Sequence, residues 1–208
     1  GWEGVATFVY HADDGGSPPE GGPSNDAEVT IVVSSGPQAL IAWDMDTNPG
    51  WSLEGAWSWG SPSGGGGDPN GGDTGVNVIG YALDAEYGNN LGEVHATSPS
   101  FDCTDATGTT LRFSRWLGVE RSEYDHAYVR VSNDGGLSWS TIYENSNTTF
   151  EDTSWTVEEF DLSAIADGES DVRIRFTMGT TDGSVTFCGW NIDDVVVEAT
   201  LPGGGSAA

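Results

Sequence analysis

Short runs in which apolar and polar side chains alternate recur along the chain, the two-residue period of half-buried β-strands. The first is Gly4–His11, GVATFVYH, and the second Ala27–Val33, AEVTIVV; the loop between them, Asp13 to Asp26, is rich in Asp, Gly and Pro. Together they predict a hairpin with a long connection. Two strands alone are marginal in water, so this hairpin needs a partner sheet, in the chain or in a neighbour. Beyond a short linker at Ser34–Pro37, the same period predicts strands at Ala39–Trp43, Thr109–Leu117, Ala127–Ser132, Ser138–Tyr143, Thr156–Leu162, Val172–Met178 and Asn191–Glu198. The only helical candidate is one turn at Leu162–Ala166. Short, regularly spaced strands separated by turn residues predict an all-β fold: a two-sheet antiparallel jelly-roll sandwich with an extra N-terminal β-hairpin. The expected divisions are 1–36 for the hairpin and linker, 37–200 for the jelly roll, and 201–208 for a Gly-rich tail.

Composition agrees with a folded β protein. Apolar residues make up 36% and aromatic residues 11% of the 208 positions, too many for a disordered chain. The charge narrows the partners. Asp and Glu total 33 against 6 basic residues, all Arg, for a formal charge of −27. Such a surface repels nucleic-acid phosphates and anionic membranes, and suits dissolved cations, above all Ca²⁺. A salt-adapted, soluble surface explains the same total. No apolar run is long enough to span a bilayer, so no membrane insertion is expected. The chain opens in strand-like sequence and reads as a piece of an exported protein, secreted or at the cell surface. In that setting Cys103 and Cys188 are expected to form one disulfide, with two buried thiols as the alternative.

Ser132–Trp139, SNDGGLSW, fits the Asp-box pattern, in which an Asp carboxylate ties the amides of a turn and a Trp packs beside it. Its expected role is structural. Alternation also sorts the arginines. On Val172–Met178 the positions of Arg173 and Arg175 oppose Ile174 and Phe176; on Ala127–Ser132 Tyr128 and Arg130 oppose Val129 and Val131; and Arg112 alternates with Leu111 and Phe113. If these strands share a sheet, Arg112, Tyr128, Arg130, Arg173 and Arg175 form one face for an acidic ligand, with cross-strand pairing to Glu158 and Glu159 as the plainer reading. Trp57, Trp51 and Trp59 lie in a Gly-rich setting and are read mainly as core, Trp57 being the candidate sugar platform. Glu120, Glu123 and Asp125 surround Arg121 and are read as a paired or solvated loop. The run Ser61–Gly75 lacks the ending of a phosphate-binding loop and is expected to be a flexible loop.

Two stretches resemble known families. ATFVYHADDG…SNDAEVTIVV is similar to the last hairpin of the immunoglobulin-like or cadherin-like repeats of large bacterial surface proteins. The order AWDMD (Ala42–Asp46), WSLEGAWSWG, IGYAL, ATSPSFDC (Ala96–Cys103), TTLRFSRW, YDHAYVRVSNDGG, WTVEEFDLS, VRIRFTMG and GWNIDDVVV (Gly189–Val197) resembles MAM-like jelly rolls, in particular the adhesin-type accessory domains of secreted bacterial proteins. That resemblance implies first and last strands side by side and a structural Ca²⁺ near them. Carried over, it points to Asp44 and Asp46, with Asp193 or Asp194. Asp44 and Asp46 would share one side of an extended chain, Asn48 could add an oxygen, and Asp84 and Glu86 could complete the six to eight oxygens Ca²⁺ takes.

The three histidines, His11, His95 and His126, are far apart, and neither HExxH nor GxSxG occurs. The expectation is a non-catalytic, calcium-stabilised adhesion or carbohydrate-binding module with a glycan or protein ligand at the cell surface. The alternative is a structural subunit that self-assembles into a filament or surface layer by strand complementation through the N-terminal hairpin.

Overall fold

The computed structural model describes residues 4–13, 15–16, 25–33 and 36–202. Most of the Asp13–Asp26 loop, part of the linker and most of the tail therefore lie outside the described residues. The chain divides into two compact units, residues 1–38 with 200–208, and residues 39–199.

The first unit carries β1 (Gly4–Tyr10) and β2 (Ala27–Val33), paired antiparallel from Gly4 opposite Val33 to Tyr10 opposite Ala27. The register gathers Ala6, Phe8, Tyr10, Ala27, Val29 and Ile31 on one face. Phe8, Tyr10 and Ile31 on that face are about half exposed.

The second unit is a sandwich of two curled antiparallel sheets. Its strands are β3 (Gln38–Trp43), β4 (Ser52–Leu53), β5 (Trp57–Gly60), β6 (Val78–Tyr81), β7 (Val94–Thr97), β8 (Thr107–Val119), β9 (Ala127–Ser132), β10 (Ser140–Glu144), β11 (Phe150–Glu151), β12 (Thr156–Asp161), β13 (Arg173–Met178) and β14 (Gly189–Thr200). One sheet runs β10-β9-β13-β7-β4. The other runs β11-β8-β14-β6-β5, with β12 also on β8 and β3 on β14. Long β8 pairs with β11, β12 and β14, and long β14 with β8, β6 and β3. The first and last strands of this unit, β3 and β14, lie side by side, as the resemblance implied. The helical turn α1 (Ser163–Ala166) follows β12.

Alternation puts Ile174 and Phe176, Val129 and Val131, Leu111 and Phe113, and Trp190 and Ile192 between the sheets, all buried. Phe176 meets Phe113 and Trp190 edge-on at 4.9 and 5.5 Å and stacks on Trp51 at 5.9 Å. These fused aromatic contacts close the core without a covalent link.

Both cysteines are free and buried, which corrects the expected disulfide. The Cys103 carbonyl accepts the amide of Ala106, just before β8 begins. The Cys188 sulfur packs against Gly118, near the other end of β8. Eleven residues of strand separate these ends, roughly 35 Å, far beyond the reach of an S–S bond. Burial pushes the thiols up to about 11 for Cys103 and about 12 for Cys188.

The Gly-rich run is also corrected. It packs on the outer face of the seven-stranded sheet through specific bonds. Asn191 Nδ2 donates to Asp68 Oδ1 at 2.6 Å, Ser114 Oγ to Asp73 Oδ2 at 2.6 Å, Trp116 Nε1 to the carbonyl of Gly67 at 2.9 Å, and the Thr74 amide to Asp193 Oδ2 at 3.1 Å. The glycines permit close approach rather than mobility: a Cβ at Gly65 or Gly66 would overlap the backbone of Asp84 or Ala85.

Candidate functional site

The outer face of the five-stranded sheet is built by strand pairing. Arg175 on β13 lies opposite Arg130 on β9 and Thr97 on β7; Thr177 lies opposite Tyr128 and His95. Two arginines side by side need separate partners. Arg130 takes Glu93 through both terminal nitrogens, at 2.7 and 2.8 Å, and lies over the Tyr128 ring at 4.3 Å. Tyr128 in turn stacks on His126, whose Nδ1 is 3.1 Å from Glu144.

Arg175 is held differently. Its Nε donates to Thr97 Oγ1 at 3.0 Å, and its guanidinium carbon is 3.8 Å from the centroid of the Trp139 ring. No carboxylate lies within ion-pair distance of it among the described residues; Glu54 and Glu93 act on it only as more distant charges. Burial, with Arg130 beside it, pulls its pKa below the ordinary guanidinium value.

Trp139 is positioned by the Asp-box. Asp134 Oδ1 accepts the amides of Leu137 and Ser138, each at 2.9 Å, and its Oδ2 accepts the Ser138 hydroxyl at 2.6 Å. These bonds, that of Ser138 foremost, hold the Asp134 carboxyl far below the usual range. The indole Nε1 then donates to the Gly136 carbonyl, which fixes the ring plane under Arg175. The sequence pattern predicts a structural role for this turn; in the fold its Trp is also a wall of the arginine face.

The five-stranded sheet thus joins Tyr128, Arg130, Arg173 and Arg175. Arg173 sits at the end of the row beside Asp171, 3.3 Å away. Arg112 is not among them. It lies on β8 in the other sheet, opposite Glu159. Trp57 is 4% exposed, edge-on to Tyr81, with its Nε1 on the Val94 carbonyl, so it offers no platform.

The acids fall into separate groups. Asp44 and Asp46 are not on an extended chain: Met45 has φ 57° and is buried, and Asp44 Oδ1 accepts the Asp46 amide at 3.1 Å. Asp46 then meets the loop that also touches the last strand. A Cβ at Gly75 would overlap its carboxylate; Thr74 Oγ1 donates to Asp194 Oδ1 at 2.9 Å. A Cβ at Gly72 would overlap the Thr74 carbonyl oxygen and lie 2.6 Å from Asp193 Oδ2 and 3.2 Å from the Asn77 carbonyl. Two carbonyl oxygens of this loop and one carboxylate oxygen of β14 therefore crowd one side-chain-free point, and burial raises Asp193 to about 6. Asn48 is taken up by its own turn, accepting the Gly50 amide. Asp84 accepts the Ser63 and Gly65 amides, and Glu86 bonds the Thr186 hydroxyl.

Glu120, Asp125 and Asp182 form another group, with carboxylate oxygens within 4.8 Å of one another, which could hold a metal ion. The paired-loop reading holds for Glu123 and is corrected for Asp125. Arg121 pairs with Glu123 at 3.4 Å, whereas Asp125 is fully buried, accepting Tyr87 Oη at 2.6 Å and the Asp182 amide at 2.8 Å. Glu120 Oε2 is buried with no hydrogen-bond partner, and desolvation, then Asp125 and Asp182, raise its carboxyl. An orphaned carboxylate oxygen among two more carboxylates is a donor set of the hard, all-oxygen kind that Ca²⁺ takes. Asp182 escaped sequence reading because it is 57 residues from Asp125 (182 minus 125) and only the fold joins them.

No family model matches the chain, and no curated protein matches it. Solved structures do. The CBM22-1 xylan-binding domain from Paenibacillus barcinonensis Xyn10C aligns over 83% of this chain and 100% of its own, with a TM-score of 0.51 and 10% identity. A cleaved adhesin domain of Lys-gingipain from Porphyromonas gingivalis aligns over 76% and 97%, at 0.49 and 14%. TmCBM61, solved with β-1,4-galactotriose, aligns over 77% and 97%, at 0.48 and 12%. At these identities the likeness is one of fold, a β-sandwich.

Proposed function

We propose that the chain is a non-catalytic, extracellular ligand-binding module that takes an acidic glycan on the outer face of the five-stranded sheet and is braced by Ca²⁺. The observation that carries this reading is Arg175: a guanidinium fixed over an indole, on a molecule of charge −27, without a carboxylate of its own. A planar cation fork matches a sugar carboxylate in two parallel bonds. A xylan-binding domain is built on the same kind of fold, which is compatible with a glycan ligand. Calorimetric titration with a short oligouronate, against a neutral oligosaccharide of equal length, tests it. Saturable binding of the uronate alone, lost in Arg175→Ala, is expected; equal binding by Arg175→Ala overturns it.

Ca²⁺ fits best at Glu120, Asp125 and Asp182, with the Asp46–Asp193–Asp194 loop as a second position. The orphaned Glu120 Oε2 supports the first and the crowded oxygens at Gly72 the second.

A second reading, self-assembly by strand complementation, is favoured by the hairpin. One face of it is wholly apolar, and Phe8, Tyr10 and Ile31 on that face are 50%, 54% and 47% exposed. Light scattering at high concentration with Ca²⁺ tests it: growing assemblies are expected, and a strict monomer overturns it.

A further inference from the structure

A cleft of about 550 Å³ opens on the other sheet, beside the Gly-rich loop, within the size range of small-ligand sites. Trp116 forms one wall. It projects from the outer face of β8, is half-buried, and stands edge-on to Trp155 at 6.0 Å. The next outward position on that face is Gly118, where a Cβ would press 2.6 Å from the Cys188 sulfur; its missing side chain lets Phe187 and Cys188 pack against the strand, and the three line the cleft.

Four carboxylates line the cleft, those of Asp68, Glu86, Glu151 and Asp152, and no basic side chain does among the described residues. They are not equivalent. Asp152 is held by Arg115 Nε at 3.1 Å and by the Leu117 amide at 2.9 Å, so much of its charge is answered from behind. Asp68 is buried and bonded to Asn191. Glu86 and Glu151 are exposed at the rim, Glu86 tied only to a neutral hydroxyl. Asn70 adds a neutral hydrogen-bonding group to the wall.

These carboxylates do not suit a metal ion. The one set of three acidic groups whose oxygens converge within 4.8 Å, among the described residues, is Glu120, Asp125 and Asp182. A space with spread anionic groups, an indole wall and neutral donors suits a larger ligand that carries its positive charge apart from a flat, hydroxylated body. We infer that this cleft is a second binding site, for an amino sugar with a free amine, stacked on Trp116 and with its ammonium at Glu86 and Glu151. Its charge preference is opposite to that of the arginine face, and it stands whether or not that face binds uronates.

The test is calorimetry on the full chain with a β-1,4-linked glucosamine tetramer, at physiological ionic strength and a pH that keeps its amines charged. One saturable site is expected. The fully N-acetylated tetramer keeps the rings and loses the charge, and is expected to bind at least about tenfold more weakly. Glu86→Gln and Glu151→Gln, isosteric and at the exposed rim, are each expected to weaken binding about three- to tenfold. Arg175→Ala, on the other sheet, and Glu28→Gln, on the hairpin, are expected to leave it unchanged. Absent binding, equal binding of the acetylated tetramer, or unchanged affinity in both rim variants overturns the inference. So does a lysine oligomer that binds more tightly with the same dependence on Glu151, which identifies a cationic protein segment as the occupant.

Discussion

The guanidinium of Arg175 sits 3.8 Å from the ring centroid of Trp139, and each side chain comes from a different device. Strand alternation turns Arg175 outward; the Asp-box turn brings Trp139 beneath it. The indole face offsets part of the cost of holding a cation beside Arg130, and among the described residues no carboxylate lies within ion-pair distance of Arg175. Arg175→Ala is expected to weaken oligouronate binding by at least about tenfold, and Arg175→Lys to recover only part of it, because an ammonium cannot make the paired bonds of a fork. Calorimetry reads both.

Calcium dependence follows from the acid group at Glu120. At about a hundred times its dissociation constant, a bound ion adds about 2.7 kcal/mol, which for a domain of this size raises the melting point by roughly 5–10 °C. Melting in Ca²⁺ against excess chelator measures it. Glu120→Gln is expected to remove most of that difference if the ion sits there, and Asp46→Asn if it sits at the Gly72 loop. A melting point indifferent to chelator removes both metal assignments.

The pH dependence has a definite sign. Burial raises Asp68 and Asp193 to about 6, above the unfolded value of 3.8. Between these values the folded state binds more protons than the unfolded one, so each group favours folding at low pH and loses that contribution as pH rises from about 4 to 6. Carboxyls held low by hydrogen bonds, such as Asp134, act oppositely at lower pH. In chelator, the melting point is expected to rise as pH falls from 7 towards 5. Asp68→Asn is expected to flatten that slope; an unchanged slope counts against a strained Asp68 carboxylate.

Both thiols are buried and pushed well above neutral pH, so native protein is expected to resist thiol reagents and to melt at the same temperature with and without reductant. Two thiols are expected to appear on denaturation; a melting point lowered by reductant would contradict the free-cysteine structure.

Gly75 has φ 58°, and a Cβ there would overlap the Asp46 carboxylate. Gly75→Ala is therefore expected to destabilise the protein by about 2–4 kcal/mol, read by urea unfolding, whereas Gly92→Ala, where nothing stands within 4 Å of the added carbon, is expected to cost far less.

The strands most legible in sequence were those with long alternation. β9 and β2 fall on the predicted residues, and β8, β13 and β14 differ from prediction only at their ends. The short strands β4 to β7 and β11 were not anticipated. Ser52–Leu53 and Phe150–Glu151 are too brief to show a period, and the fully buried Val78–Tyr81 does not alternate at all. The Asp-box turn was readable because its bonds lie within eight residues; that its Trp carries Arg175 was not, because the two are 36 positions apart (175 minus 139).

Sequence alone determined what is local: the all-β class, the outward side of each long alternating strand and the hairpin pairing, since a two-residue period and nearby turn residues decide these. Alternation says which way a side chain points but not which strand lies beside it. Tertiary structure therefore decided the rest: that Arg112 stands on the other sheet from Arg130 and Arg175, that Trp57 is buried, that Cys103 and Cys188 sit towards opposite ends of one strand, and that Asp182 joins Glu120 and Asp125. Each depends on strand order across a sandwich, which arises from packing the whole core at once rather than from any one segment's pattern.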